Sequence, residues 1–111
     1  MDASVVIGQQ NFTSNTANDG QGSINKYGLS WPFGVYSDGT RLFVSDNVNN
    51  RVLIYNHIPI SNHASADVVI GQQDFTHGDI NQGGSAEANT LRVPAGILTI
   101  GNKLLISDVS L

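Results

Sequence analysis

A chain of 111 residues with 40% hydrophobic side chains can bury one small core and is too short for two ordinary domains. Only 13% of the residues are charged and glycine occurs 12 times, a balance that excludes a helical bundle and suits a turn-rich all-β protein. The net charge is −4, and Lys26, Arg41, Arg51, Arg92 and Lys103 stand singly, so nucleic acid finds no clustered cationic face. Without cysteine there is neither a disulfide framework nor a thiolate metal site.

From the start, Met1 to Ser4 carry no basic or apolar leader pattern, and no run along the chain approaches a membrane span. Ser4 to Thr13, SVVIGQQNFT, returns sixty-three positions later as Asp67 to Thr76, DVVIGQQDFT, with eight of ten residues identical. A second correspondence runs at an offset of sixty-two. It pairs Pro32, Gly34, Val35, Gly39, Leu42, Val44, Ser45 and Asp46 with Pro94, Gly96, Ile97, Gly101, Leu104, Ile106, Ser107 and Asp108. Repetition on this scale points to a solenoid, an array or a propeller.

One period holds four expected strands: Phe33 to Tyr36, Arg41 to Ser45, Arg51 to Tyr55 and Asp67 to Ile70. The Asp38-Gly39 pair marks the first hairpin, and the Asn-rich turn after Asp46 marks the second. Apolar residues are consecutive in Leu42-Phe43-Val44, Val52-Leu53-Ile54, Val68-Val69-Ile70 and Leu104-Leu105-Ile106, so both faces of these strands need cover. Four short strands per unit, with no helical periodicity to supply that cover, describe a propeller blade sandwiched by its neighbours. The connections from Gln9 to Trp31 and from Gln72 to Val93 are long and rich in Gly, Asn, Ser and Gln, and loops of that kind carry function.

The residues resemble the NHL repeat of β-propeller proteins. The resemblance rests on Pro32-x-Gly34-Val35, Gly39, Leu42-x-Val44-x-Asp46 and Asn49-Asn50-Arg51-Val52, with Pro94, Gly96, Gly101 and Asp108 repeating the pattern. Ala66 to Phe75 followed by Asn81 to Gly84 is similar to the long-loop form found mostly in bacteria. Val48, where glycine is frequent, and a tight first hairpin depart from that pattern. The resemblance implies a fragment of a six-bladed ring. Residues 1–13 would be the last strand of a preceding blade, 14–31 a long inter-blade loop, and 32–73 a complete blade. Residues 74–93 would be a second long loop, and 94–111 the first two strands of a truncated blade. It further implies a secreted or cell-envelope location, and the remaining blades of a parent propeller as partners.

Asp46 and Asp108 close equivalent strands, and either ligate something or accept backbone N–H groups while Arg51 ties strands together. Their repetition at matching positions favours the structural role. His57, His63 and His77 are expected to be solvated loop residues, since a zinc site needs three or four convergent ligands. Asp74, Asp79 and Asn81 offer oxygens without the calcium-loop spacing. With Glu87 the sole glutamate and no nucleophile elbow or phosphate loop, no catalytic residue, cofactor or metal site is assigned. Trp31 and Phe33 are expected to pack on an adjoining blade. The expected function is a non-enzymatic binding or scaffold module for a protein, peptide or carbohydrate. Its candidate binding loop contains Gln72, Asp74, His77, Asp79 and Asn81. The alternative is a fragment of a propeller enzyme, a metal-dependent lyase or lactone hydrolase.

Overall fold

A computed structural model describes residues 1–109. The chain is all-β, built as two antiparallel sheets. β1 (Pro32–Ser37), β2 (Leu42–Asp46), β3 (Arg51–Tyr55) and β4 (Val68–Ile70) form a meander in that order, while β5 (Pro94–Ile100) pairs with β6 (Lys103–Asp108). Every strand boundary expected within the repeat is met to within a residue. Among the described residues no helix is long and apolar enough to cross a membrane.

Turn chemistry sets the register. Between β1 and β2, Gly39 takes a φ of 96° and Asp38 Oδ1 accepts the N–H groups of Thr40 and Arg41 at 3.0 and 2.7 Å. Between β2 and β3 the left-handed residue is Asn50, at φ 52°, which allows Asp46 to lie opposite Arg51. Val48 is at the exposed turn, and the positive φ falls on Asn50, so a β-branched residue is tolerated where glycine is common.

β2 and β3 are covered on both faces, as their unbroken apolar runs require, but by two different means. One face presents Val44, Leu53 and Tyr55 to Leu29 and Ala66, with Ile7, Ala64 and Phe75 packed around them. Over β2 and β3 its cover is the chain's own loops rather than a second sheet, while Val35 of β1 on the same face is left exposed. The other face presents Phe43, Ser45, Val52 and Ile54 and lies under the second sheet, with β5 packed on β1 and β2. Ser45 Oγ donates to Ala95 O at 2.7 Å across this seam, and Thr99 Oγ1 meets the Tyr36 hydroxyl at 3.1 Å. Gly34 is obligatory here, because a Cβ would stand 2.3 Å from Ala95 O.

Two expectations are corrected. Residues 4–7 form no strand, although 68–70 of the matching stretch form β4. Val6 accepts from the His63 N–H at 3.0 Å and donates to Asn62 Oδ1 at 2.9 Å, and no counterpart of β3 lies beside it among the described residues. Trp31 and Phe33 are 78% and 74% exposed rather than packed. They flank a cleft of about 330 Å³ at the seam, shared with Val93, Ala95 and Val109.

Candidate functional site

The repeat motif converges on a buried polar hub. Because β2 and β3 pair Asp46 with Arg51, both side chains project from the same face, and Arg51 Nε donates to Asp46 Oδ2 at 2.7 Å with both side chains fully buried. The other guanidinium nitrogens reach outward to loop carbonyls: Nη1 to Phe75 at 2.8 Å, and Nη2 to Asn25 at 2.8 Å and Gly28 at 3.1 Å. Asp46 also accepts the Ser30 N–H at 2.6 Å and Asn49 Nδ2 at 2.8 Å. Burial pushes the Asp46 carboxyl above its ordinary range, against the opposing pull of the Arg51 charge and these donors.

Asn50 extends the hub toward the second loop. Its Nδ2 donates to Gly78 O at 2.9 Å, and its Oδ1 accepts the Val93 N–H at 2.9 Å. Buried Gln72 donates to the carbonyls of Asn50 and Asp79, both at 2.8 Å. In the second copy Asp108 repeats one bond of Asp46, accepting the Arg92 N–H at 2.6 Å. Gly96 donates to Ser107 Oγ at 2.7 Å as Gly34 does to Ser45 Oγ at 2.6 Å. Pro32 and Pro94 open equivalent strands, and Gly101, like Gly39, turns its hairpin at positive φ. The motif residues are thus engaged in holding loops to sheets.

The expected binding loop divides accordingly. Gln72 belongs to the hub. Asp74 is exposed, accepts from Thr76 and bonds His77 Nδ1 at 2.6 Å, and the His77 bond followed by those from Thr76 lowers its pKa to about 2. Asp79 is exposed, and Asn81 forms the left-handed turn of its loop at φ 50°. These side chains do not converge on one point, and among the described residues no group of three or more His, Asp or Glu could hold a metal ion.

The other long loop contains a more organised site. Asn18 and Asp19 form a left-handed turn at φ 54° and 62°, the counterpart of Asn81 and Gln82 at 50° and 54°. The Asn18 N–H donates to Leu29 O, as that of Asn81 does to Leu91 O. Asn49 of the hub fixes the turn through Asn18 Oδ1 at 2.7 Å, and Gly28 permits the close approach, since a Cβ there would stand 2.5 Å from the Asn18 carbonyl carbon. Asp19 is thereby directed at His63. Asp19 Oδ2 and His63 Nε2 are 2.6 Å apart, with the Asp19 side chain 3% and the His63 side chain 33% exposed. The ring of His63 stacks on Tyr27 with centroids 4.7 Å apart. Asn25 Oδ1 accepts the N–H groups of Tyr27 and Gly28 and so orients that ring, while Lys26 Nζ lies 5.4 Å from its centre.

An ionised carboxylate only accepts, so Nε2 carries the proton and, in the neutral ring, Nδ1 is left as an acceptor. The pair borders a cleft of about 460 Å³ rimmed by Gln21, Ser23 and Asn25. His63 is therefore not the solvated loop residue expected from sequence; His57 is exposed, and His77 is exposed while paired with Asp74. Sequence reasoning missed Asp19 altogether. The available signal was a difference between the copies, since an acidic residue stands where the second loop has Gln82. No protein-family model, curated protein or solved structure matches this chain.

Proposed function

We propose that the chain is an arc of a β-propeller of the NHL-repeat type, acting as a non-enzymatic binding or scaffold module whose loops meet a protein, peptide or carbohydrate partner. The observation that carries this reading is the head-to-tail stacking of two like units. In the first unit Phe43 is 1% exposed beneath β5, while its counterpart Leu105 is 43% exposed on the outer face of the second. Val35 is 69% exposed, while its counterpart Ile97 is half-buried at the seam. Each open face is thus the kind of surface that another unit covers, and a series of such seams makes a ring. With motif side chains committed to internal bonds, the loop rims are left to meet a partner.

The test is an array of peptides and glycans probed with the purified 111-residue chain. Binding is expected, and it should weaken at least about tenfold on removing exposed loop side chains, through Gln21→Ala with Ser23→Ala or Asp74→Ala with His77→Ala. Binding that ignores both pairs, in variants with unchanged melting, overturns the loop-binding reading.

A further inference from the structure

The cleft between loops 14–31 and 56–66 has the features of a built site. Asp19 Oδ1 is buried and has no hydrogen-bond partner, although the side chain is 97% buried by its 3% exposure. A carboxylate oxygen left in that condition is costly unless some donor satisfies it. Asp19 and His63 are both non-glycine residues with left-handed backbone, at φ 62° and 59°, and they face one another. The surrounding fold holds them there. Asn49 fixes Asn18, and the His63 N–H is bound to Val6 O.

We infer that this cleft binds the hydroxyl-bearing ring of a neutral saccharide, with His63 Nδ1 as the central polar contact, the buried Asp19 carboxylate positioning that imidazole from behind, and the rim of Gln21 and Ser23 as supplementary polar contacts. The inference rests on the binding-module reading above and names the ligand class of its loop surface. Charge excludes the competing classes. A cationic ligand would find the one acidic group in the cleft, Asp19, buried and already engaged by His63. An anionic ligand would find no lysine or arginine in the lining of the cleft and would sit in the field of the Asp19 carboxylate behind the His63 ring. A neutral polyol hydroxyl both donates and accepts, so it can meet His63 Nδ1, the Gln21 amide and the Ser23 hydroxyl. It also presents C–H groups to the exposed part of the Tyr27 surface. The volume of about 460 Å³ falls within the range typical of small-ligand clefts, about 300–1,000 Å³.

The experiment is a two-dimensional amide NMR titration of the whole chain. The probes are methyl glycosides of glucose, mannose, galactose and N-acetylglucosamine, then inorganic phosphate, then methylammonium. At least one glycoside should shift the amides of Gln21, Ser23 and Tyr27. His63→Ala should weaken it at least about tenfold. Because His63→Ala could loosen its own loop, Gln21→Ala combined with Ser23→Ala serves as a second variant, both residues being exposed and unable to unfold the chain by their loss. No shift with any glycoside, shifts with phosphate or methylammonium alone, or unchanged affinity in both variants overturns the inference. Peptide binding through the loops without glycoside binding would sink the saccharide assignment and leave the binding module intact, whereas failure of every ligand on the array would remove both.

Discussion

Arg51→Ala tests whether the hub holds the fold together or serves a ligand. The guanidinium makes four hydrogen bonds, to Asp46, Phe75 O, Asn25 O and Gly28 O, from a fully buried position. At roughly 1.5–3 kcal/mol for each charge-assisted bond, simple addition would claim roughly 6–12 kcal/mol. That sum overstates the loss, because the carbonyls of Phe75 and Asn25 sit in partly exposed surroundings where water can replace the lost donor. Asp46 cannot be rehydrated in this way, and orphaning one member of a buried ion pair destabilises by about 3–5 kcal/mol. Against a domain stability of about 5–15 kcal/mol, that is a large fraction of the total. Urea unfolding followed by far-ultraviolet circular dichroism reads the change; Trp31 fluorescence is a poor reporter, since the ring is already 78% exposed in the folded chain. The double variant Asp46→Asn with Arg51→Met should be less destabilised than the sum of its single changes by about 1–3 kcal/mol. A loss below about 1 kcal/mol in Arg51→Ala, or additive single changes, refutes the structural account.

At the seam, Gly34→Ala should destabilise by about 1–3 kcal/mol by forcing a methyl toward Ala95 O, while Gly96→Ala, whose Cβ would meet only Ser107, should cost under about 1 kcal/mol in parallel urea melts. Equal losses would contradict the account of the seam. Tyr55→Phe removes a buried hydroxyl with no hydrogen-bond partner, so the melting midpoint should hold or rise, by up to about 1 kcal/mol of stability. Burial, with the Asp46 charge as a lesser cause, pushes the Tyr55 phenol up to about 12, so the folded form retains the proton longer than the unfolded one. Stability should therefore be present below about pH 10 and fall as pH rises from there toward 12, and Tyr55→Phe should flatten that part of the curve. Asp38 runs the other way. Backbone donation from Arg41 and Thr40, then the Arg41 side chain, lowers its pKa to about 2. Its contribution should be present above about pH 4 and lost as pH falls toward 2, which carboxyl NMR titration of Asp38 checks directly.

Strand positions were legible because they follow from local rules. Consecutive apolar residues in β2 and β3 announced cover on both faces, and Asp-Gly and Asn-rich segments announced the turns. What covers each face was not legible, since Leu29, Ala66 and Phe75 come from loops whose path depends on tertiary bonds to Arg51 and Asn49. The absence of a strand at 4–7 has a similar origin. Val5-Val6-Ile7 has nearly the same local sequence as Val68-Val69-Ile70, and only the second lies beside β3. A ladder needs its partner as well as its propensity.

The candidate site was hidden for a related reason. Repetition identifies residues that each unit needs for its own fold, and Asp46, Arg51 and Asn50 are accounted for in that way. A ligand site confined to one place along the chain must instead be found where the copies diverge. The left-handed turns at Asn18-Asp19 and Asn81-Gln82 have nearly the same backbone, so the turn itself does not require an acidic residue. Gln82 in that position donates to the carbonyls of its own loop, Gly71 at 3.3 Å and Asn89 at 2.8 Å, and so closes the loop on itself. Asp19 cannot donate when ionised; it faces outward to a histidine from a different segment and retains an unpartnered oxygen. Replacing a self-satisfying amide by a carboxylate that depends on another segment gains nothing for the turn. The gain lies in the cleft that the carboxylate and His63 line together.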